Sequence, residues 1–339
     1  MRALLLLLVC PFAQAVTAQS VLHYAETSGF DHQTRTVSLA FMQDIGAELG
    51  FSVTDDPDGS AFNSFANLAT FDVIVFSNTS GNALLDPAQR ANFEAYVAAG
   101  GSVLGIHAAS DTYRHSTANG ANTGTWDFYA ELIGASVQEN PNHVSGTPLY
   151  AMHHIGTHAS TANLPDPWLK NEEYYYWESG YYRPDNITVL EVEETIGPNN
   201  LVNSYDAPRP MSWYRGLPEG GRMFYAALGH AQSNYISDTL FRTHMRDALG
   251  WLLGTVSVTD EEMLLALTVW PNPTSRTINV SRAGSRTGTV QILDSTGRLL
   301  VTHACCCAPC SIDLAALVSG IYWCISDDKH IRVPFIIHQ

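Results

Sequence analysis

Short apolar runs alternate with stretches of helical period from residue 21 to residue 106, and this alternation narrows the possible folds more than any other feature of the chain. Val21-Leu22-His23-Tyr24-Ala25, Phe71-Asp72-Val73-Ile74-Val75-Phe76 and Ser102-Val103-Leu104-Gly105-Ile106 read as buried strands. Between the first two, Val37, Phe41, Ile45 and Leu49 fall on one face of a helix over Thr36 to Leu49. Asp86-Pro87 opens a further helix with proline at its first position, an apolar face that includes Phe93 and Val97, and Gly100-Gly101 at its close. Strand–helix repeats of this length join parallel strands by right-handed crossovers. The expected fold is α/β with a doubly wound parallel sheet that binds its ligand at the carboxyl edge of the strands. Beyond Gly134 strands dominate, over Ile187 to Glu193, Pro210 to Tyr214 and Met223 to Leu228, before a final amphipathic helix from Ile236 to Leu253.

The two ends read differently. Arg2 followed by Ala3-Leu4-Leu5-Leu6-Leu7-Leu8-Val9, with small residues at Ala13, Ala15 and Ala18, has the charged, apolar and cleavage regions of a secretory signal over residues 1–18. Cleavage after Ala15 or Ala18 leaves a mature chain beginning near Gln19, and no later stretch is long and apolar enough for a membrane helix. From Leu267 the period falls to two, with Val290-Gln291-Ile292-Leu293, Leu299-Leu300-Val301 and Ile321-Tyr322-Trp323 separated by turn pairs such as Thr296-Gly297 and Ser319-Gly320. The expected organisation is therefore an α/β domain over 20–254, a linker over 255–266 and a small all-β sandwich over 267–339.

Composition removes several functions. A formal net charge of −16, from 17 basic against 33 acidic residues, supplies no basic face for nucleic acid or an anionic membrane. Lys170 and Lys329 are the only lysines, and no phosphate-binding Gly-x-x-x-x-Gly-Lys-Ser/Thr occurs. The segment from Ser20 to Gly254 has no cysteine, which rules out a thiol nucleophile or a thiolate-held zinc there. Cys305, Cys306, Cys307, Cys310 and Cys324 lie near the carboxyl end, an odd number that leaves at least one unpaired or paired between chains.

The position that stands out is His107, directly after the strand ending in Ile106 and flanked by small residues in Gly105-Ile106-His107-Ala108-Ala109. A sharp turn at that place projects a side chain into the ligand crevice, and an imidazole there serves as base, acid or metal ligand. His32 in the loop after the first strand, Glu173 and His230 also fall at strand ends or loops, so the four are expected to form one cluster that transfers protons or holds a divalent metal such as zinc. His107, Glu173 and Asp111 are the candidate catalytic residues, with Asp111 equally able to cap the turn. His32, His107 and His230 are the candidate metal ligands. Asn78, Tyr174 and Trp213 are candidate substrate-binding residues, the last two from the aromatic groups Tyr174-Tyr175-Tyr176-Trp177 and Trp213-Tyr214 that offer stacking faces for sugar rings. Alternation on a strand puts Glu173 with Tyr175 and away from Tyr174.

Phe76-Ser77-Asn78-Thr79-Ser80-Gly81, Gly105-Ile106-His107-Ala108-Ala109-Ser110-Asp111-Thr112, Glu172-Glu173-Tyr174 and Ala227-Leu228-Gly229-His230 follow one another as in the ThuA-like (trehalose utilisation) family, which the segment from Ser20 to Gly254 resembles. That resemblance implies a flavodoxin-like fold similar to class I glutamine amidotransferases, and an association with disaccharide catabolism through 3-keto-sugar intermediates, in a family often labelled as glycosyl hydrolases. Trp270-Pro271-Asn272-Pro273-Thr274, Ile292-Leu293-Asp294-Ser295-Thr296-Gly297-Arg298 and Leu317-Val318-Ser319-Gly320-Ile321-Tyr322 resemble a type IX secretion (Por-type) sorting domain. This implies the type IX machinery as a partner and a secreted or cell-surface location.

The expected activity is acid–base cleavage or isomerisation of a keto-disaccharide or glycoside, with metal assistance if the histidines hold an ion. Ordinary glycoside hydrolysis asks for two positioned carboxylates, for which Glu173 with Asp111 or Glu172 are the available residues. Two other classes stay open beside it. A carbohydrate-binding surface module without turnover accounts for the aromatic residues, and an amidohydrolase or acyltransferase accounts for the fold but lacks the cysteine of a glutamine amidotransferase.

Overall fold

The first unit runs β1 (Ser20–Tyr24), α1 (Arg35–Leu49), β2 (Ser52–Asp56), α2 (Phe65–Leu68), β3 (Val73–Ser77), α3 (Pro87–Ala98), β4 (Ser102–Ile106), α4 (Asp127–Ile133), β5 (Ala135–Val137), β6 (Leu149–His154), β7 (Trp168–Asn171), β8 (Trp177–Tyr182), β9 (Ile187–Glu193), β10 (Arg209–Gly216), β11 (Arg222–Ala226), α5 (Gln232–Ile236) and α6 (Thr239–Leu252). The computed structural model describes residues 19–117, 125–193, 208–255, 267–282, 288–294, 298–305, 310–326 and 332–338. It divides into Met1–Val256 and Ser257–Gln339. The expected leader over 1–18 and nearly all of the expected linker lie outside the described residues.

Among the described residues, nine strands form one sheet in the order β2-β1-β3-β4-β11-β10-β9-β6-β7. The first five are mutually parallel, in the doubly wound flavodoxin-like order. β10, β9, β6 and β7 extend the same sheet antiparallel. The sheet is therefore mixed, and the second half of the unit does not merely fold over a parallel core. All five residues of β3 and of β4 are buried, as strands covered on both faces require, whereas the edge strand β2 alternates exposed and half-buried positions.

Local chemistry sets the helix ends. The Asp86 side chain accepts from the backbone of Ala88 and Gln89 while Gln89 accepts from the Asp86 N–H, a capping box with Pro87 at the first helical position. α1 stops at Gly50, whose φ of 84° forms a left-handed cap. The final helix, expected from Ile236 to Leu253, begins at Thr239 as α6, because the Asp238 carboxylate accepts from Phe241 N–H and caps its start.

His158 and His244 are buried inside this unit. His244 Nε2 meets Ser212 Oγ at 3.0 Å, its Nδ1 donates to the Ser160 carbonyl at 2.9 Å, and His158 stacks on Tyr214. Burial pushes His158 down to about 3, helped by the nearby His244 and Arg222 charges, and pushes His244 down to about 4 against the bond to Ser160. The unfolded chain, with histidines near 6.5, then binds more protons than the folded one below that pH. The stability these neutral rings provide is complete above 6.5 and is lost as pH falls, at up to about 1.4 kcal/mol per pH unit for each ring. Urea midpoints measured from about pH 7 to about pH 5 should fall steadily, and less steeply in His244→Asn. A flat profile refutes the assignment.

The second unit contains β12 (Leu267–Trp270), β13 (Thr277–Arg282), β14 (Gly288–Asp294), β15 (Leu299–Cys305), β16 (Cys310–Asp313), β17 (Gly320–Ser326) and β18 (Arg332–Ile337). They form antiparallel sheets β12-β13-β16 and β15-β14-β17-β18 around Ile278, Val280, Ile292, Ile312, Leu314, Tyr322 and Phe335. Cys310 is disulfide-bonded, and Cys324 is a free thiol in this core that burial pushes up to about 12. Cys306 and Cys307, like the Thr296-Gly297 turn, lie outside the described residues. No helix among the described residues is long and apolar enough to cross a membrane.

Candidate functional site

At the carboxyl end of β4 the chain turns through one turn of 3-10 helix, His107–Asp111. His107 has φ 48°, a left-handed conformation that few non-glycine residues adopt. Gly105 makes the approach possible, since a Cβ there would meet the Tyr225 ring at 2.9 Å and Ile133 at 3.0 Å. His107 Nδ1 lies 2.7 Å from the Ala227 carbonyl, which only accepts, so Nδ1 carries the proton. Nε2 lies 3.0 Å from Tyr175 Oη and 3.1 Å from Glu173 Oε2, and with Nδ1 carrying the proton it is the ring atom free to take a ligand or accept from the Tyr175 hydroxyl. The Tyr175 ring stacks on the imidazole with centroids 4.5 Å apart.

Glu173 is the hub of the site. Besides His107, its Oε2 lies 3.3 Å from His230 Nδ1 and 3.6 Å from His32 Nε2, and its Oε1 lies 3.2 Å from His143 Nε2. One donor atom from each of His32, His107, Glu173 and His230 lies within 4.8 Å of the others. The topology explains the convergence. His32 follows β1, His107 follows β4 and His230 follows β11, all parallel strands that end on the same edge. Glu173 follows β7, at the far end of the antiparallel extension, and His143 lies between β5 and β6. His107 is wholly buried beneath the others, while the side chains of His143 and His230 are 29% and 28% exposed and form the reachable face.

Two buried residues hold the loops in register. Asn78, at the end of β3 with φ 54°, has Nδ2 within 3.0 Å of Thr34 Oγ1, the Gly229 carbonyl and Tyr235 Oη, and its Oδ1 accepts from Ala108 N–H. It ties the His32, His107 and His230 loops together. Glu172 accepts from the N–H groups of Gly229, His230 and Glu173 and from Asn234 Nδ2, with Lys170 Nζ 3.5 Å away.

Electrostatics separates the two candidate carboxylates. Burial opposes ionisation of Glu173, but the close imidazoles of His107, His230 and His32 outweigh it and hold the carboxyl far below the usual range. Burial pushes Asp111 up to about 6, against the pull of Arg114 and His107. Contact with the Glu173 carboxylate raises His230, and burial lowers His32.

The structure brings His32, His107, Glu173 and His230 together and sets Asp111 in the same turn as His107, 3.4 Å from Arg114 Nε. It does not bring Tyr174 or Trp213 to the site. Both are wholly buried: Tyr174 Oη donates to the Lys170 carbonyl and Trp213 Nε1 to that of Ile133, so neither offers a face to a sugar. Asn78 is likewise a buried strut, its amide spent on backbone and side chains rather than on a substrate. The aromatic wealth of residues 174–177 and 213–214 is core packing, with Trp177, Trp213 and Tyr225 in mutual contact. His143 and Tyr175 join the site without having been singled out. Residues 172–176 lie between β7 and β8 rather than on a strand, so the pairing of Tyr175 with Glu173 does not come from strand alternation, and nothing in Asn140-Pro141-Asn142-His143 marks that histidine. Ser110 is buried against Tyr225 Oη at 2.7 Å, so it is not placed as a nucleophile.

The family model described as ThuA, trehalose utilisation, matches residues 20–252. The chain belongs to the ThuA family. Residues 268–337 match the secretion system C-terminal sorting domain, so this ThuA protein is one sent to the cell surface or beyond by type IX secretion. Among solved structures, a putative ThuA-like protein from Bacteroides uniformis shares 22% identity over 72% of this chain and 95% of that chain, with a TM-score of 0.55. Another from Parabacteroides merdae shares 15% identity over 72% and 92%, with a TM-score of 0.51. Both likenesses show the fold of the ThuA domain. No curated protein matches the chain.

Proposed function

We propose that this ThuA domain is a secreted carbohydrate-active enzyme that cleaves or isomerises a keto-disaccharide or glycoside by acid–base chemistry. The observation that carries the reading is a single ionised carboxylate, Glu173, ringed by His32, His107, His143 and His230 at the ligand-binding edge of the sheet. Removing a proton next to a sugar carbonyl needs a base held at the mouth of the site and a donor to meet the developing oxyanion. Glu173 Oε1, beside the partly exposed His143, serves as base, and the outer ring nitrogen of His230, Nε2, serves as donor. Asp111, pushed towards neutrality while Glu173 is pushed away from it, supplies the acid. His107 is out of reach of a substrate and acts as a positioning residue through Glu173 and Tyr175. Burial of the aromatic faces leaves the non-catalytic binding module without its main support, and Ser110 is not placed as a nucleophile.

The test is to incubate the full chain with trehalose and other disaccharides and with their 3-keto forms, reading products by mass spectrometry. Turnover of a keto form, with kcat lowered ~100-fold in Asp111→Asn, is expected. Absence of turnover on every sugar, or an Asp111→Asn variant equal to wild type, rejects the assignment of substrate class or of the acid respectively.

A further inference from the structure

We propose that His32 Nε2, His107 Nε2, His230 Nδ1 and Glu173 Oε2 form a binding site for one first-row divalent transition-metal ion, of which zinc is the representative. The inference rests on donor geometry and does not depend on the sugar assignment. The His107 tautomer is its first support. With Nδ1–H given to the Ala227 carbonyl, Nε2 faces the Glu173 carboxylate at 3.1 Å and the Tyr175 hydroxyl at 3.0 Å, and an ion taken by both Nε2 and Glu173 Oε2 would relieve the contact of two acceptors. His230 Nδ1 repeats the pattern, being buried 3.3 Å from the same oxygen without a well-formed hydrogen bond. His32 Nδ1 is also buried without a partner, so no hydrogen bond of the protein fixes that ring's tautomer, whereas an ion taking Nε2 would.

Spacing supports the same conclusion. Bonds of ~2.0–2.1 Å to a tetrahedral centre place neighbouring donors about 3.4 Å apart. The three histidine–Glu173 separations are 3.1, 3.3 and 3.6 Å and all four donors lie within 4.8 Å of one another, so the histidines need only close slightly on an ion. The His32, His107 and His230 rings meet edge to face, with centroids 4.7 to 5.5 Å apart, so their planes fan around one point. Three imidazoles with one carboxylate suit zinc and its neighbours rather than calcium or magnesium, which take oxygen donors. The surrounding shell is of the kind that orients ligands: the Ala227 carbonyl on His107, Glu172 on the His230 loop, and Asn78 across all three histidine loops. Glu173 Oε1 stays outside the donor set, facing His143. The partly exposed His230 side leaves room for a substrate oxygen, whose carbonyl the ion would polarise.

Zinc titration of the chelator-stripped full chain by calorimetry, with elemental analysis, tests the site. One zinc per chain is expected, with affinity lowered at least ~100-fold in both Glu173→Gln and His230→Ala, a larger loss than outer-shell changes produce. Glu173→Gln keeps the shape of the hub, and His230 is partly exposed, so both variants should fold; urea midpoints in chelator verify it. Cobalt(II) should give visible d–d bands without thiolate charge transfer, which separates this site from the cysteines near the carboxyl end. A chain that takes up no zinc, zinc binding unchanged in both folded variants, or a cobalt spectrum dominated by thiolate ligation overturns the proposal.

Discussion

Replacing Glu173 by glutamine is expected to lower turnover of the sugar substrate by ~10²- to 10⁴-fold with the fold intact. The amide has nearly the same shape, so the change removes the charge that His32, His107, His143 and His230 surround and little else. One neutral amide cannot balance four imidazoles as the carboxylate does, and it is no base. Unfolding in urea should stay within about 1 kcal/mol of wild type, which separates a chemical defect from a folding one. Activity within tenfold of wild type would remove Glu173 from the reaction.

Lys170→Met is expected to destabilise the ThuA domain by ~3–5 kcal/mol. Lys170 is 5% exposed, with Nζ 2.5 Å from Asp238 Oδ2, 2.8 Å from Asn234 Oδ1 and 3.5 Å from Glu172 Oε2. A methionine fills the space, yet it leaves Glu172, 2% exposed, as a buried charge without its cation. The same carboxylate accepts from Gly229 and His230, so the loss should also loosen the His230 loop and weaken zinc binding in parallel. Urea denaturation gives the first effect, and a change below about 1 kcal/mol would show that Glu172 is satisfied by its N–H donors alone.

The parallel half of the fold was legible because β1, β3 and β4 are buried runs and their helices carry explicit end signals at Asp86-Pro87 and Gly100-Gly101. The antiparallel extension was not. β6, Leu149-Tyr150-Ala151-Met152-His153-His154, has one fully buried residue, so its pattern carries no strong period. Aromatic density misled for a physical reason. A large flat side chain fills a core as readily as it stacks on a sugar, and Tyr174 and Trp213 show that only burial and hydrogen-bond partners tell the two apart. His107 could be read from its place after a buried strand, whereas His143 sits in a loop whose course depends on contacts far away in sequence. Asn78 was noticed for the right neighbourhood and given the wrong task, because a side-chain amide that ties loops together looks, in one dimension, like one that awaits a ligand.

The four histidines around the Glu173 oxygen pair come from positions spread between His32 and His230, and no two of them share a helix. A fragment or half-folded intermediate therefore carries no reactive centre, since closing loops of such length belongs to the late stages of a topology rich in distant contacts. Chemical competence and complete folding arrive together, which leaves a chain caught partway through its maturation inert.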